Sequence, residues 1–339
     1  MKPTRPESLL SLGIESTAHT FGASLVDSEE RIISNVNSSY RPPPGVGIHP
    51  RKAAQHHVEV SDEIVAQALQ GKNNRERYTP DIVAYAAGPG LGPCLRVGAT
   101  VARAISAYLA KPLVPVHHGV AHLDLAISAS KAHDPLAVLV SGGHTAIVVH
   151  MQRRWLFYGE TEDITLGNLL DMFARETSLP APGGVSVEAE AKKGKKLLPL
   201  PYTVKGNDVS YSGLLTAAIR LFKKKEKLAD VCYSLQEVAF SMLAEAAERS
   251  LVQTRKKEVL LAGGVAANER LRSMIRTIAE EHNASFHPVP RAFSGDCGAQ
   301  IACAGQFAYK TGRTVSLPDS YVIPKWRLDE VEVPWIPRT

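Results

Sequence analysis

Three histidines, His117, His118 and His122, fall within six residues in VPVHHGVAHLDLA, between a short apolar run and an alanine-rich segment. If this segment is helical, His118 and His122 project from one face, one turn apart. That is the spacing by which a helix offers two imidazoles to one metal ion. His117 points elsewhere. Two imidazoles alone do not make a stable metal site, so a third ligand must come from a distant part of the chain. The competing reading is a hydrogen-bonded or exposed pair. A second adjacent pair, His56 and His57 in AAQHHVEV, reads as a helix surface or pocket lining.

Glycine-rich turns form a second constellation. SGGHT (141–145) sits between two strand-like runs, where backbone N–H groups can face a phosphate. GGVAAN (263–268) lies between a strand and a helix, where the helix dipole favours an anion. GPGLGP (88–93) opens another helix. None follows GxxxxGK[ST] or GxGxxG, so each by itself is compatible with a plain tight turn. A third constellation is acidic: Asp171 and Glu188, which read as helix-face residues, and Asp296 in SGDCGAQ, which reads as a helix cap.

These residues need a scaffold. The chain has 339 residues, 44% hydrophobic and 22% charged, which suffices for a packed core and does not match a disordered chain. A formal charge of +5 permits a polyanionic partner without demanding one. The four cysteines lack CxxC spacing and form no disulfide framework, which points to a reducing compartment. MKPTRPESLL lacks a signal-peptide core, and no run approaches the ~20 apolar residues of a membrane span. A cytoplasmic, soluble protein with no membrane partner is the expectation.

Strand-like runs alternate with helical ones, which defines an α/β chain. ESTAHTFGAS (15–24) aligned over VSGGHTAIVV (140–149) pairs Ser16 with Ser141, His19 with His144 and Thr20 with Thr145, inside matching hairpins. Two lobes built on one plan follow from that repeat. The expected division is a first lobe over 1–131, with a C-terminal helix at about 295–312 packing back onto it, a second lobe over 132–325, and a loose tail over 326–339.

The motifs GIESTAHT, AAQHHVEV, GPGLGPCLRVG, HHGVAH, SGGHT, GETEDITLGNLLD, PGGVSVE, VSYSGLLTA, GGVAANERLR and GDCGAQIA run in order over about residues 10–325. Together they resemble the universal tRNA threonylcarbamoyladenosine transferase family, formerly described as an O-sialoglycoprotein endopeptidase. GIESTAHT is similar to the archaeal and eukaryotic branch, whose members are the catalytic subunit of the KEOPS complex. The resemblance implies the actin-like ATPase (ASKHA) fold, with two duplicated lobes and a nucleotide cleft between them. It implies a divalent metal, iron or zinc, on His118, His122 and Asp296. It implies substrate contacts from Leu139, Val140, Ser141, Gly142 and Gly143 at the phosphates, from Asp171, Gly184 and Glu188 at the ribose, and from Asn268 at the adenine. Two departures stand out: His117 replaces a frequent Asn, and Leu139 replaces the usual Tyr of the archaeal branch, which removes a potential metal ligand.

The implied reaction moves the threonylcarbamoyl group from threonylcarbamoyl-adenylate to the exocyclic amine of the adenosine next to the anticodon in ANN-decoding tRNAs. The implied partners are tRNA, a small kinase-like subunit and a dimerising subunit. AKKGKK (191–196), LFKKKEK (221–227) and TRKKE (254–258) are the basic candidates for RNA. No activated nucleophile is evident, so direct transfer without an acyl-enzyme is expected. His19 and Glu15 are the candidates for a base. The alternatives are a small-molecule kinase of the same superfamily, a metallopeptidase, for which HHGVAH lacks the Glu of HExxH, and a non-catalytic scaffold.

Overall fold

The computed structural model describes residues 9–43, 46–70 and 77–336. They fall into two compact units. The first opens with an antiparallel hairpin, β1 (Ser11–Glu15) and β2 (Thr20–Val26), followed by β3 (Ile32–Ser39). Helix α1 (Pro50–Gln70), β4 (Ile82–Gly88), α2 (Gly92–Leu109), β5 (Leu113–His117) and α3 (His118–Ser130) follow. The sheet order is β3-β2-β1-β4-β5, with β1, β4 and β5 parallel.

Strand periodicity builds two core layers. Along β4, Val83, Tyr85 and Ala87 pack with Leu12 and Ile14 of β1 and with Ile64, Val65 and Ala68 of α1. The alternate residues, Ile82, Ala84 and Ala86, pack with Val114, Val116 and Ala121 on the other face. Both faces are covered, as a parallel sheet requires, which is why β4 reads as an unbroken apolar run.

The second unit repeats the plan. Its elements are β6 (Leu136–Val140), β7 (Thr145–Met151), β8 (Arg154–Glu160), α4 (Leu166–Glu176), α5 (Gly183–Ala191), the short β9 (Val204–Lys205) and β10 (Asp208–Val209), α6 (Ser212–Lys223), α7 (Leu228–Thr254), β11 (Glu258–Ala262), α8 (Glu269–Glu281) and β12 (Ser285–Pro288). Its main sheet runs β8-β7-β6-β11-β12. Matched to the first, β6 stands for β1, β7 for β2 and β11 for β4. In each sheet the first strand pairs antiparallel on one side and parallel on the other. The duplicated hairpins are therefore equivalent positions of two copies of one topology.

The last helix, α9 (Gly298–Lys310), returns to the first unit. Ile301, Ala304 and Ala308 complete its second core layer. Gly13 permits this approach: a Cβ there would run into the backbone of Gly298 and Ala302.

The structure corrects the expected lobe boundaries. The second unit ends at 295, not 325, and residues 296–336 all belong to the first. Of the segment read as a loose tail, residues 326–336 are anchored. Leu328 and Val333 are buried, the Trp326 ring packs edge-on against His117, and Trp335 Nε1 donates to Asp124 Oδ2 at 3.1 Å. Burial pushes the Asp124 carboxyl up to about 8, against the hydrogen bond from Trp335.

His57 departs from one of its two expected placements, the helix surface. It is fully buried, against Phe21 of β2, not on a helix surface. Burial, reinforced by neighbouring His56, pushes its imidazole down to about 4 from the ordinary 6.5. The unfolded chain takes up this proton below about pH 6.5, and the folded chain does so only near pH 4. Stability should therefore be full above pH 6.5 and fall by about 1.4 kcal/mol per pH unit below it, about 3 kcal/mol in all by pH 4. His57→Leu should remove that component, read as the difference between the two chains in denaturant melts from pH 7 to pH 4.

Candidate functional site

His118 is the first residue of α3, reached directly from β5. His122 follows one turn later, with the two ring centroids 4.6 Å apart. Asp296 precedes α9 by two residues. It is not the cap expected from sequence, since Cys297 occupies that position, and its carboxylate turns to the histidines. Asp296 Oδ1 lies 3.2 Å from His122 Nε2 and 3.5 Å from His118 Nε2. One ligand atom from each of the three residues lies within 4.8 Å of the others. The imidazoles are buried, and Asp296 is the most exposed of the three, at 20% of its side chain, so the cluster opens on its side.

The other nitrogen of His118 is fixed. Its Nδ1 lies 3.0 Å from Glu15 Oε2, at the end of β1. In the neutral ring that a metal ligand requires, a proton on Nδ1 donated to this carboxylate leaves Nε2 as the ligating nitrogen, the arrangement by which a carboxylate orients a metal-binding histidine. Glu15 is fully buried, and its other oxygen accepts from the Thr17 backbone N–H at 2.6 Å and from the Thr17 hydroxyl. Burial opposes charge on His118, but Glu15 and Asp296 outweigh it and lift the imidazole to about 9. Burial alone would raise Asp296, yet His118 and His122 hold it well below the usual carboxylate range. Two buried imidazoles flanked by two carboxylates make a pocket that favours a cation.

His117 has a different task. Its Nδ1 accepts from Val120 N–H at 3.2 Å, so its Nε2–H faces the Trp326 carbonyl at 3.2 Å. The ring caps the start of α3 and ties down the C-terminal segment.

In the second unit, the loop 141–144 joins β6 to β7. Ser141 Oγ accepts from the N–H groups of Gly143 and His144, at 3.2 and 3.0 Å. Leu139 and Val140 are fully buried strand residues, whereas Gly142 and Gly143 are exposed. A Cβ on Gly142 would meet nothing within 4 Å, so this backbone borders open space. Thr165 caps α4 through Asn168 N–H and donates its hydroxyl to the Gly142 carbonyl at 2.8 Å. Gly167 lets the first turn of α4 lie on the loop, because a Cβ there would meet Ser141 O. A glycine loop and a helix N-terminus side by side favour an anion. Thr165 and Gly167 went unread in the sequence, although GETEDITLGNLLD carries both.

Asp171 Oδ1 accepts from Gly183 N–H at 2.8 Å, fixing the start of α5 next to Gly184. Glu188, on α5, accepts from Glu269 N–H at 3.2 Å. Asn268 caps α8 with Oδ1. Glu188 and the residues around Asn268 border a cavity of about 430 Å³ among α5, α7 and α8. Of the basic stretches, Lys192, Lys193 and Lys256 are ion-paired with Glu188, Glu190 and Asp134, while Lys223, Lys224 and Lys225 are exposed. All four thiols are buried, and burial raises each of them, which removes a thiolate nucleophile. Among the described residues no helix is long and apolar enough to cross a membrane.

The duplicated units place the chain in the actin-like ATPase fold class. Among solved structures it is similar to HypF from T. kodakarensis, with a TM-score of 0.61 at 16% identity, covering 90% of this chain and 48% of that one. It is also similar to component A of the Acidaminococcus fermentans (R)-2-hydroxyglutaryl-CoA dehydratase, with a TM-score of 0.52 at 13% identity, over 89% and 98% of the two chains. These likenesses show the fold alone. The family model for tRNA N6-adenosine threonylcarbamoyltransferase matches residues 31–303. A protein of that name from Caldivirga maquilingensis is 49% identical over 98% of this chain and 99% of its own. A probable bifunctional tRNA threonylcarbamoyladenosine biosynthesis protein from Methanocaldococcus jannaschii is 47% identical over 97% of this chain, which spans 61% of that relative. The chain belongs to the tRNA N6-adenosine threonylcarbamoyltransferase family.

Ser141→Ala should leave two loop N–H groups without their acceptor. Amide exchange at Gly143 and His144 should quicken at least about tenfold, while global stability falls by only about 1 kcal/mol. Unchanged exchange would mean that the hydroxyl does not hold the loop.

Proposed function

We propose that the chain transfers the threonylcarbamoyl group from threonylcarbamoyl-adenylate to the exocyclic N6 of the adenosine next to the anticodon in ANN-decoding tRNAs, as the catalytic subunit of a KEOPS assembly. The observation that carries this reading is the convergence of His118, His122 and Asp296, in a chain of this family. Their donor set of two imidazole nitrogens and one carboxylate oxygen suits a divalent iron or zinc ion with positions left open. When bound there, the ion would supply Lewis-acid polarisation of the acyl phosphate.

The chain's own residues do the rest. Glu15 holds the His118 ring in its ligating orientation. The loop Ser141–Gly143, aligned with the α4 N-terminus, receives the phosphate, and Asp171, Gly184 and Glu188 receive the ribose. Leu139 and Val140 act through the backbone they position. N6 attacks the carbamoyl carbon, the bond from that carbon to the phosphate oxygen breaks, AMP departs as an anion, and the amine loses one proton. N6 is a weak nucleophile, so positioning and electrostatics carry the rate. Glu15 is engaged at both oxygens and serves as a positioning residue, which leaves His19 as the base candidate.

The exposed Lys223–Lys225 fit a tRNA phosphate contact. The bifunctional relatives extend beyond this match, which supports a second activity working beside this one; a small kinase-like protein and a dimerising protein are the partners of this reading.

The protein incubated with a tRNA transcript, ATP, threonine, bicarbonate and an adenylate-forming enzyme, with and without partner subunits, should yield threonylcarbamoyladenosine by nucleoside mass spectrometry. His118→Ala should abolish it. Phosphorylation of a small molecule with no modified adenosine would favour the kinase alternative. Elemental analysis should find one iron or zinc per chain, and Glu15→Gln should weaken its retention about 10- to 100-fold on competition with a chelator.

A further inference from the structure

Gln236, on α7, lines the cavity next to Glu188, yet no motif points to it. It is 5% exposed, and its amide orientation is determined by a chain of hydrogen bonds. Asn268 Oδ1 accepts from the N–H groups of Arg270 and Leu271, at 2.9 and 3.2 Å. The other end of that carboxamide must then be Nδ2, a donor. It lies 2.9 Å from Gln236, so the Gln236 atom it meets is the acceptor Oε1. Gln236 Nε2 is left as the end available to the cavity, and it carries two N–H donors. Asn268 uses Oδ1 for the cap and one Nδ2–H for Gln236.

Beside this donor the cavity wall carries a paired guanidinium. Arg270 is held by Glu237 through two bonds of 2.7 Å, Nε to Oε1 and Nη2 to Oε2. A locked planar guanidinium and the nearby Tyr233 ring are surfaces on which a flat heterocycle can stack.

We propose that Gln236 is a specificity-determining residue for the adenylate: its Nε2 donates to a ring nitrogen of the adenine, in an orientation imposed by Asn268. This rests on the reading that the cavity beside Glu188 receives the nucleoside of threonylcarbamoyl-adenylate. Adenine presents N1, N3 and N7 as acceptors. A buried donor that fails to meet one of them is left unpaired, which is how a polar site rejects an analogue lacking its partner atom.

The test uses the full chain and AMP as the probe, by calorimetry at pH 8. The native protein is titrated with AMP and with its 1-deaza, 3-deaza and 7-deaza analogues. One analogue should bind at least about tenfold more weakly than AMP, and the other two like AMP. Gln236→Glu keeps the oxygen that meets Asn268 and replaces the donor by an acceptor. It should bind AMP about tenfold more weakly and show no further loss with the sensitive analogue. Equal binding of all three analogues by the native chain, which needs no variant, would overturn the proposal. So would unchanged AMP affinity in Gln236→Glu. Glu188→Ala separates the two levels: if it weakens AMP while Gln236→Glu does not, this assignment alone fails, and if it has no effect, the nucleoside reading of the cavity fails with it.

Discussion

The bond between Glu15 and His118 joins residues 103 apart in sequence, and the candidate metal centre hangs on it. An imidazole without a partner on Nδ1 can present either nitrogen and rotate about χ2. With Glu15 buried at the end of β1, the ring has one orientation and one tautomer. That bond exists only because β1, β4 and β5 are parallel neighbours, so that the ends of β1 and β5 open at the same edge of the sheet. The general tendency of α/β sheets to place sites at the carboxyl ends of strands is met here by two side chains that emerge where β1 and β5 stop.

The second unit reuses the same hairpin for a different purpose. At the end of β1, a carboxylate takes the Thr17 N–H and steers an imidazole. At the matching end of β6, the Ser141 hydroxyl takes two loop N–H groups, and a helix start is packed beside them. Duplication thus supplied two equivalent turns. At the first turn a buried carboxylate meets an imidazole, and at the second a hydroxyl holds the loop backbone.

The pattern of legibility follows from how local each feature is. The HxxxH spacing and the repeated hairpin depend on near neighbours, so helix and strand periods reveal them. Asp296 acts 174 residues away from His122, and local reasoning assigned it to a helix cap; only the resemblance to a family placed it beside the histidines. The anchoring of residues 326–336 was missed for a related reason. Its contacts come from irregularly spaced residues such as Trp326, Leu328 and Trp335, which trace no helical or strand period. His57 looked equivalent to His56 because adjacent helix positions differ only in direction, and the packed face of α1 is decided by β2. Gln236 carries no motif at all, and its meaning comes from a hydrogen-bond chain that runs through Asn268.

The return of α9 to the first unit has a consequence for biosynthesis. The histidines emerge from a ribosome well before the carboxylate that completes their cluster, with the whole second unit translated in between. At about 5–20 residues per second, those 174 residues correspond to a delay of roughly 10–35 s. During that interval the first sheet lacks α9, the apolar residues that α9 will cover remain open, and His118 and His122 wait without Asp296. A nascent chain therefore cannot assemble the three-residue cluster by folding its first half alone, and a chain cut short within the second unit would carry the histidine pair but not the complete site.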